Sequence, residues 1–374
     1  MPSGSDRARI GVIGTGWWAT YAHLPSLTSY KRAEVVAIAD PSPERLALAG
    51  EHFGIAAQYA EYEAMLDRGD LDGVIVATPH TSHRAVATQV LRRGIPLMLE
   101  KPMVLRARDA RELVDLAEQH GVPLVIGYPY HFVDQHGRLR ARIAEGALGQ
   151  LQLTHSLFAS MVLEYYRANP QAYADVFKWE VTGPQPTTYS EPAVAGGGQG
   201  HLQVTHSAAL LLWLTNLKPR DVSAFVENFE LKVDLCDAIS VRFEGGAIGT
   251  LASSGGISAS QTAHQQHELR LYGSRGYALV DAMAGSCSIF YNDGSVEQFD
   301  EVPADRRYPL QAPSRHLVDL VLGVVSAASN ASPGEIGART VELLEAAYRS
   351  AAERRIVSVD ELYADRVGLS ARSG

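Results

Sequence analysis

Up to about residue 130, the chain alternates short, continuously apolar runs with longer segments in which apolar residues lie three and four positions apart. The continuous runs indicate strands buried on both faces, and the longer segments, such as Pro43–His52 and Asp109–His120, predict helices. The predicted strands are Ile10–Ile13, Val35–Ala39, Gly73–Ala77, Leu97–Leu99 and Leu124–Ile126. Strands and helices that alternate in this way predict right-handed crossovers and a parallel sheet.

Beyond residue 130 the pattern changes to strands of period two, after a predicted helix at Val133–Glu145 that ends before Gly146. The strand candidates are Gln150–Phe158, Val222–Phe229, Ala238–Phe243, Ala247–Ser253, His267–Tyr272, Tyr277–Val280 and Ser286–Tyr291. Glycine-containing turns separate several of them, so a mostly antiparallel sheet is expected. A last helix is predicted at Gly334–Arg354, because Pro333 suits a helix entry.

The change of pattern divides the chain of 374 residues into two predicted α/β domains, residues 1–128 and 129–374. The first is a doubly wound parallel sheet, and the second contains the mostly antiparallel sheet. Residues 165–198 hold several prolines and predict a long irregular loop. Long loops on compact domains are often functional.

Composition excludes some classes of protein. The formal net charge is −9, which disfavours a nucleic-acid partner. The two cysteines, Cys236 and Cys287, cannot form a disulfide framework and belong to no CxxC pair. No run reaches the roughly 18 apolar residues of a membrane helix, and the apolar start is too short for a signal peptide. We therefore expect a cytoplasmic protein without a membrane partner.

A dinucleotide fingerprint follows the first strand. Gly14 allows a tight turn, Gly16 allows close approach of a pyrophosphate, and the small Ala19 lets the helix pack on the sheet. Thr15, between the two glycines, is grouped with them as a cofactor-binding candidate. Trp17 and Trp18 follow them, and either line the approach of the pyrophosphate and nicotinamide or pack the first helical turn. A glycine-rich turn without a ligand is the alternative.

Asp40 ends the second predicted strand. An acidic side chain at this place accepts hydrogen bonds from the adenosine ribose and repels a 2′-phosphate, which favours NAD over NADP as cofactor. The alternative is that Asp40 caps the helix that follows Pro41.

Further motifs extend over most of the chain. They are His23-Leu24-Pro25, Ala77–His80 with His83, Glu100-Lys101-Pro102, Gly127-Tyr128 with Phe132, Gly146–Gly149, Gly196–Gly198 with His206, and Glu268–Gly276. Together with Gly14–Ala19, they resemble the glucose–fructose oxidoreductase/inositol dehydrogenase (Gfo/Idh/MocA) family. The resemblance implies a Rossmann domain, then an α/β domain whose large open sheet mediates homodimers or homotetramers. It also implies NAD(P)-dependent oxidation of a sugar, sugar derivative or cyclitol.

Lys101 and His206 are the catalytic candidates. Lys101 follows the carboxyl end of a predicted parallel strand, where its ammonium can bind a hydroxyl and relay its proton, with a pKa lowered by burial or by a nearby nicotinamide cation. His206 matches the family's acid/base histidine. The alternatives are a surface lysine in a turn and a core histidine. The family commonly has Asp where this chain has Leu202, so Gln203 and His201 are the polar neighbours available to compensate.

The remaining candidates are assigned by position. Thr78, Pro79 and His80 follow a predicted strand, in a loop that lies along the cofactor in the family. Glu100, Lys101 and His83 are grouped with them as cofactor contacts, although His83 also suits a helix start. Substrate candidates are Tyr128, Tyr165, Tyr166, Lys178, Trp179 and Glu180, with packing of the long loop as the alternative. His131 stands where many members carry Arg, and contact with substrate and a structural role are both open. No metal site is expected.

Two further functions are compatible with these residues. Some relatives oxidise a sugar transiently, eliminate a glycosidic substituent and reduce the sugar again, which cleaves a glycoside with tightly bound NAD and no net redox change. A cofactor-binding sensor without catalysis is the other. The replacement of Asp by Leu202 keeps this last hypothesis open.

Overall fold

The computed structural model describes residues 6–364. Its strands, numbered β1 to β15 in chain order, are Ala8–Ile13, Ala33–Ala39, Gln58–Tyr59, Gly73–Val76, Leu97–Leu99, Leu124–Ile126, Leu151–Ala159, Pro219–Glu227, Cys236–Phe243, Ile248–Ser254, Gln266–Gly273, Gly276–Asp281, Ser286–Tyr291, Val296–Gln298 and Val357–Ser358. Its α-helices, α1 to α13, are Leu24–Thr28, Pro43–Phe53, Tyr62–Leu66, His83–Arg92, Ala107–His120, Asp134–Ala144, Leu163–Tyr166, Ala174–Phe177, Thr187–Ser190, Pro192–Ala195, Thr205–Thr215, Ala312–Val321 and Gly334–Glu353. Two π-helical turns, Ala19–His23 and Gly200–Val204, precede α1 and α11.

The first sheet is parallel throughout and has the strand order β3-β2-β1-β4-β5-β6. This confirms the predicted doubly wound sheet. The order reverses between β1 and β4, where Ile10 pairs with Gly73. A crevice forms outside the carboxyl ends of the strands at such a reversal, and ligands of open α/β sheets bind there.

Helix α12 covers one face of this sheet, although it lies late in the chain. Leu317 and Val318 of α12 are fully buried in the same core cluster as Ile10, Ile75 and Met98. The chain therefore returns from its second half to pack on the first sheet. The domain limits 1–128 and 129–374 stay a prediction, and their outer ends, residues 1–5 and 365–374, lie outside the described residues.

The second sheet has the order β14-β13-β12-β11-β7-β10-β9-β8-β15. Only β7 and β10 pair in parallel among the neighbours described, so the mostly antiparallel sheet is confirmed. Helices α11 and α13 pack on one of its faces. Elsewhere the sheet exposes Phe225 and Ile248, by 78% and 51%. Association of copies through this sheet stays a prediction.

The stretch 165–198 differs from the predicted irregular loop. It contains the single-turn helices α8, α9 and α10, with α7 ending at Tyr166. Because prolines separate these turns, none is long enough to show a helical period in the sequence. The stretch is packed rather than extended, since Tyr165, Tyr166 and Tyr173 are buried in an apolar cluster. Within residues 6–364, no helix is long and apolar enough to cross a membrane.

Asp234 holds the glycine segment that leads into α11. Its Oδ1 accepts a hydrogen bond from Gly198 N at 2.6 Å, and its Oδ2 accepts one from Gly200 N at 2.7 Å. The backbones of Gly198 and Asp234 also lie close together, because a Cβ on Gly198 would overlap the carbonyl oxygen of Asp234. The position of α11 therefore depends on a segment that accepts no side chain at 198.

We expect Gly198→Ala to lower the free energy of unfolding by about 1–3 kcal/mol, because the added methyl group forces this backbone apart. Gly137→Ala is the matched control: a Cβ at this position in α6 meets no heavy atom of the described residues within 4 Å. It should raise the free energy by about 0.4–1 kcal/mol. Urea denaturation followed by circular dichroism measures both. A Gly198→Ala protein as stable as wild type would contradict the conclusion that this segment accepts no side chain at 198.

Candidate functional site

Two cavities lie side by side at the carboxyl edge of the first sheet. The larger has a volume of about 590 Å³ and the smaller about 330 Å³. They share one wall, formed by Trp17, Trp18, Ala77, Thr78, His80 and Tyr189. A ligand in the larger cavity can therefore contact a ligand in the smaller one.

The glycine fingerprint lines the larger cavity. Gly14 has a φ of +90°, and a Cβ there would lie 2.5 Å from the carbonyl oxygen of Ala77. A Cβ on Gly16 would meet no heavy atom of the described residues within 4 Å, so open space lies beside this backbone. Ala19 is fully buried. The structure thus has the tight turn, open space and close packing that a pyrophosphate cradle requires.

Asp40 lines the same cavity and organises the turn. Its Oδ2 accepts from Thr15 N at 2.9 Å, and its Oδ1 accepts from Arg45 Nη2 at 2.6 Å. Ser42, rather than Asp40, is the N-cap of α2 and accepts from Arg45 N at 3.3 Å. The capping alternative for Asp40 is therefore wrong. Arg45 was not singled out in the sequence, because its proximity to Asp40 depends on where α2 begins.

The loop after β4 also lines the larger cavity through Thr78, Pro79 and His80. His80 Nδ1 lies 2.9 Å from the carbonyl oxygen of Ala195, which links this loop to α10. His83 is fully buried and lines neither cavity. Its ring nitrogens lie 2.8 Å from Pro102 O and 2.9 Å from Thr78 O. The prediction that His83 contacts the cofactor is corrected, because both ring nitrogens face backbone carbonyl oxygens instead.

Lys101 lies on the wall of the smaller cavity, and its peptide bond to Pro102 is cis. Its Nζ donates a hydrogen bond to the carbonyl oxygen of Leu202 at 3.0 Å. Burial lowers the pKa of Lys101 to about 8, against the opposing charge of Glu100. Glu100 lines the smaller cavity beside it, and neither residue lines the larger cavity, so their contact with the cofactor stays a prediction. The amine can therefore exchange a proton near neutral pH.

His206 lines the smaller cavity from the first turn of α11 and is 4% exposed. Burial lowers the pKa of His206 well below its ordinary value, and the positive charge of Lys101 acts in the same direction, so the ring is neutral. Its Nδ1 has no hydrogen-bond partner among the described residues. The ring centroids of Tyr130 and Tyr308 lie 5.9 and 6.0 Å from that of His206. The site therefore places a lysine of lowered pKa and a neutral imidazole on one cavity.

Gln203 also lines the smaller cavity, but the other polar neighbour of Leu202 does not. His201 packs against Tyr348, 4.6 Å between ring centroids, beside the segment held by Asp234. Burial lowers the pKa of His201 to about 4. The prediction that His201 contacts substrate is corrected, because one step along the helical segment turns it away from the cavity.

Three more substrate candidates are core residues. Tyr128 is buried, and its hydroxyl lies 3.0 Å from Thr205 Oγ1. Tyr166 donates its hydroxyl to Gln199 Oε1 at 3.0 Å. His131 stacks on Trp213, with ring centroids 4.8 Å apart. Of the two roles that the sequence left open for His131, this packing supports the structural one. These rings line neither cavity, because each projects from the side of its segment that packs into the core.

The candidates in the long stretch divide. Tyr165 lines the smaller cavity. Trp179 does not line the cavity but stacks on Phe177, with ring centroids 6.3 Å apart. Lys178 and Glu180 are exposed. The prediction that these three contact substrate is corrected, since none of them lines either cavity.

Sequence reasoning missed much of the smaller cavity. The missed lining residues are Tyr130, Phe158, Met161, Val162, Phe177, Tyr189, Gln265, Met283 and Tyr308. They come from distant segments and form no motif, although several are aromatic. Among the described residues, no group of three or more His, Cys, Asp or Glu side chains could hold a metal ion.

Comparison with known proteins gives matches over most of the chain. Residues 8–128 match the model of the oxidoreductase family with an NAD-binding Rossmann fold, and residues 136–279 match the GFO/IDH/MocA C-terminal domain. The rhizopine catabolism protein MocA of Rhizobium meliloti is 32% identical over 214 residues, 57% of this chain and 59% of that protein.

A dTDP-3,4-didehydro-2,6-dideoxy-alpha-D-glucose 3-reductase of Streptomyces violaceoruber is 33% identical over 150 residues, 40% of this chain and 44% of the relative. The chain thus spans about half the length of the curated relatives it matches.

An oxidoreductase from Agrobacterium radiobacter, solved with NAD+, L-tartaric acid and magnesium, has the same fold. It superposes with a TM-score of 0.75 at 20% identity, covering 95% of this chain and 99% of that one. Since the two family models match consecutive parts of one chain, and the glycine turn and both sheets are in place, this protein belongs to the Gfo/Idh/MocA family and carries its NAD-binding Rossmann domain.

Proposed function

We propose that the protein is an NAD-dependent oxidoreductase that moves a hydride between nicotinamide and a hydroxyl-bearing carbon of a sugar, sugar derivative or cyclitol. One observation carries the proposal: Lys101 and His206 line a cavity that shares a wall with the cavity of the glycine fingerprint. The names of the curated relatives, among them a reductase of a dTDP-linked sugar, support this substrate class.

NAD, when bound, supplies the acceptor for the hydride. The backbone at Gly14 and Gly16 would hold its pyrophosphate, and Asp40 would hold its adenosine ribose. Asp40 is already fixed by Thr15 N and Arg45, so its carboxylate is oriented without cost at the moment of binding. Thr78 and His80 line both cavities and would flank the cofactor where it approaches the substrate.

The proton of the reacting hydroxyl passes to Nζ of Lys101 as the carbon–oxygen double bond forms. Only the neutral amine can accept it, and burial makes this form accessible near pH 8. The carbonyl oxygen of Leu202 fixes the direction of Nζ. The neutral ring of His206 offers a second hydrogen-bonding group to the same hydroxyl or its neighbour. Orientation and exclusion of water from the cavity supply further rate enhancement.

Lys101→Met should lower kcat for sugar or cyclitol oxidation by about 100- to 10,000-fold, because it removes the proton acceptor. The affinity for NADH, measured by fluorescence titration, should stay within about threefold of wild type, because Lys101 does not line the larger cavity. Lys218→Met is the control: Lys218 is about half exposed and lines neither cavity. Equal activity of wild type and Lys101→Met would refute the assignment.

The pH dependence follows from the lowered pKa of Lys101. At saturating NAD, kcat/KM for oxidation should rise as pH increases through about 8 and then level, because deprotonation creates the acceptor. The reverse reduction needs the protonated amine and should fall over the same interval. Rates in both directions across this interval provide the test, and the residual activity of Lys101→Met should lack the step. Profiles of the same sign in both directions would argue against Lys101 as the proton carrier.

Asp40→Asn should weaken NAD binding by about tenfold or more, since it removes a charged acceptor from the ribose. It should also improve NADP binding relative to NAD, because the repelling charge is lost and Arg45 is released from its ion pair. Titrations with NAD and NADP measure the ratio, with Asp319→Asn, which pairs with Arg32 away from both cavities, as control. An unchanged ratio would show that Asp40 does not face the ribose.

A further inference from the structure

The smaller cavity has two chemically different parts. Its polar lining residues include Lys101, Gln203, His206, Glu100 and Gln265. Much of the remaining lining is apolar or aromatic, and includes Trp17, Met161, Val162, Tyr165 and Phe177. A substrate that carries hydroxyls all round would leave several of them unpaired against this second part, which costs binding energy.

Leu202 makes the apolar part continuous. It lines the cavity, is 7% exposed, and packs in one cluster with Val162, Tyr165 and Val233. Its carbonyl oxygen accepts a hydrogen bond from Lys101 Nζ, so the apolar surface begins directly beside the proton acceptor. A carboxylate at this position would be desolvated among apolar groups, which would raise its energy steeply.

The aromatic rings hold one another in place. The ring of Trp17 lies 5.7 Å from that of Phe177 and 6.2 Å from that of Tyr165, between centroids. Trp17 Nε1 is used by a 3.0 Å hydrogen bond to the hydroxyl of Tyr189. The hydroxyl of Tyr165 is buried without a hydrogen-bond partner among the described residues. The rings therefore present carbon rather than polar atoms, on a surface formed before the substrate arrives.

The cavity is large enough for more than one ring. Its volume of about 330 Å³ is within the range, roughly 300–1,000 Å³, in which pockets enclose drug-sized ligands. A single sugar ring beside Lys101 and His206 would leave the aromatic surface in contact with water. An aromatic group attached to the sugar would cover it, and aromatic pairs add to the gain from burial alone.

We propose that the substrate is an aryl glycoside, whose sugar ring binds at Lys101 and His206 and whose aromatic group packs on Trp17, Tyr165 and Phe177. This rests on the proposed function. One CH–OH group of the sugar becomes C=O, the hydride passes to NAD, and the proton passes to Lys101 Nζ. The glycosidic bond is neither formed nor broken in this step.

The test compares methyl and phenyl D-glucosides, both anomers of each, on the full-length protein. Binding is measured by calorimetry with NADH present, and turnover by reduction of NAD. For at least one anomer, the phenyl glucoside should bind at least about tenfold more tightly than the methyl glucoside and have a correspondingly higher kcat/KM. Cyclohexyl glucoside, of similar size, should lie between them, because it gains burial without ring contacts.

Variants locate the effect. Phe177→Ala should shrink the ratio of phenyl to methyl affinity several-fold, and Leu202→Asn should shrink it as well. Phe225→Ala, on an exposed part of the second sheet, should leave the ratio unchanged. Thermal melting identifies any variant that fails to fold, and Phe177, which is partly exposed at the cavity, is the safer of the two site changes.

The outcomes separate the two proposals. Equal binding of methyl and phenyl glucosides, or a ratio unaffected by Phe177→Ala, would overturn the aryl assignment whatever the turnover. Tight phenyl binding, with no reduction of NAD by any glucoside, free sugar or cyclitol, would support the aromatic subsite and overturn the proposed function. Reduction of NAD by free sugars or cyclitols with no aryl preference would support the function and overturn the inference.

Discussion

The arrangement of the site depends on one buried carboxylate, Glu100. It accepts hydrogen bonds from Trp18 Nε1 and His23 Nε2, both at 2.9 Å, and from Lys101 N at 3.0 Å. Burial alone would raise the pKa of Glu100, but its contacts with His23 and the charge of Lys101 outweigh this and lower it. Gly127 leaves the space, since a Cβ there would lie 2.7 Å from Glu100 Oε1. The ionised carboxylate thus ties the glycine turn of the first domain to the end of β5, where Lys101 stands.

A second set of bonds joins this centre to the other half of the chain. Lys101 Nζ reaches the carbonyl oxygen of Leu202, and the glycine segment before Leu202 is held by Asp234. The same short segment leads into α11 and so places His206. The proton acceptor and the imidazole are therefore positioned by one continuous network of hydrogen bonds. Within it, the carbonyl oxygen of Leu202 accepts from Lys101, and the side chain of Leu202 lines the apolar part of the smaller cavity.

The sequence predicted the parts of the site that are encoded locally. Continuous apolar runs located β1 and β5, and the glycine turn with Asp40 indicated a dinucleotide site, because these signals depend on neighbouring residues. The aromatic surface was not predictable as a unit, since Trp17, Tyr165 and Phe177 come together only in the folded chain. Likewise, a sequence does not say which side of a segment faces the core. For this reason the role of His131 stayed open, and His201 was expected near the substrate. The return of α12 to the first sheet depends on contacts between residues far apart in the chain, and no local pattern indicated it.

The central claim is that a hydride leaves a substrate carbon in the Lys101 cavity for a cofactor in the adjoining one. The most direct measurement uses the best substrate from a panel of sugars, cyclitols and glycosides, deuterated at its ring carbons, with NAD and the purified protein. Mass spectrometry of the reduced cofactor should find one deuterium per molecule, and the oxidised product should lack one. Conversion of substrate without deuterium in the cofactor, or tight binding of NAD with no transfer to it from any member of the panel, would contradict the account.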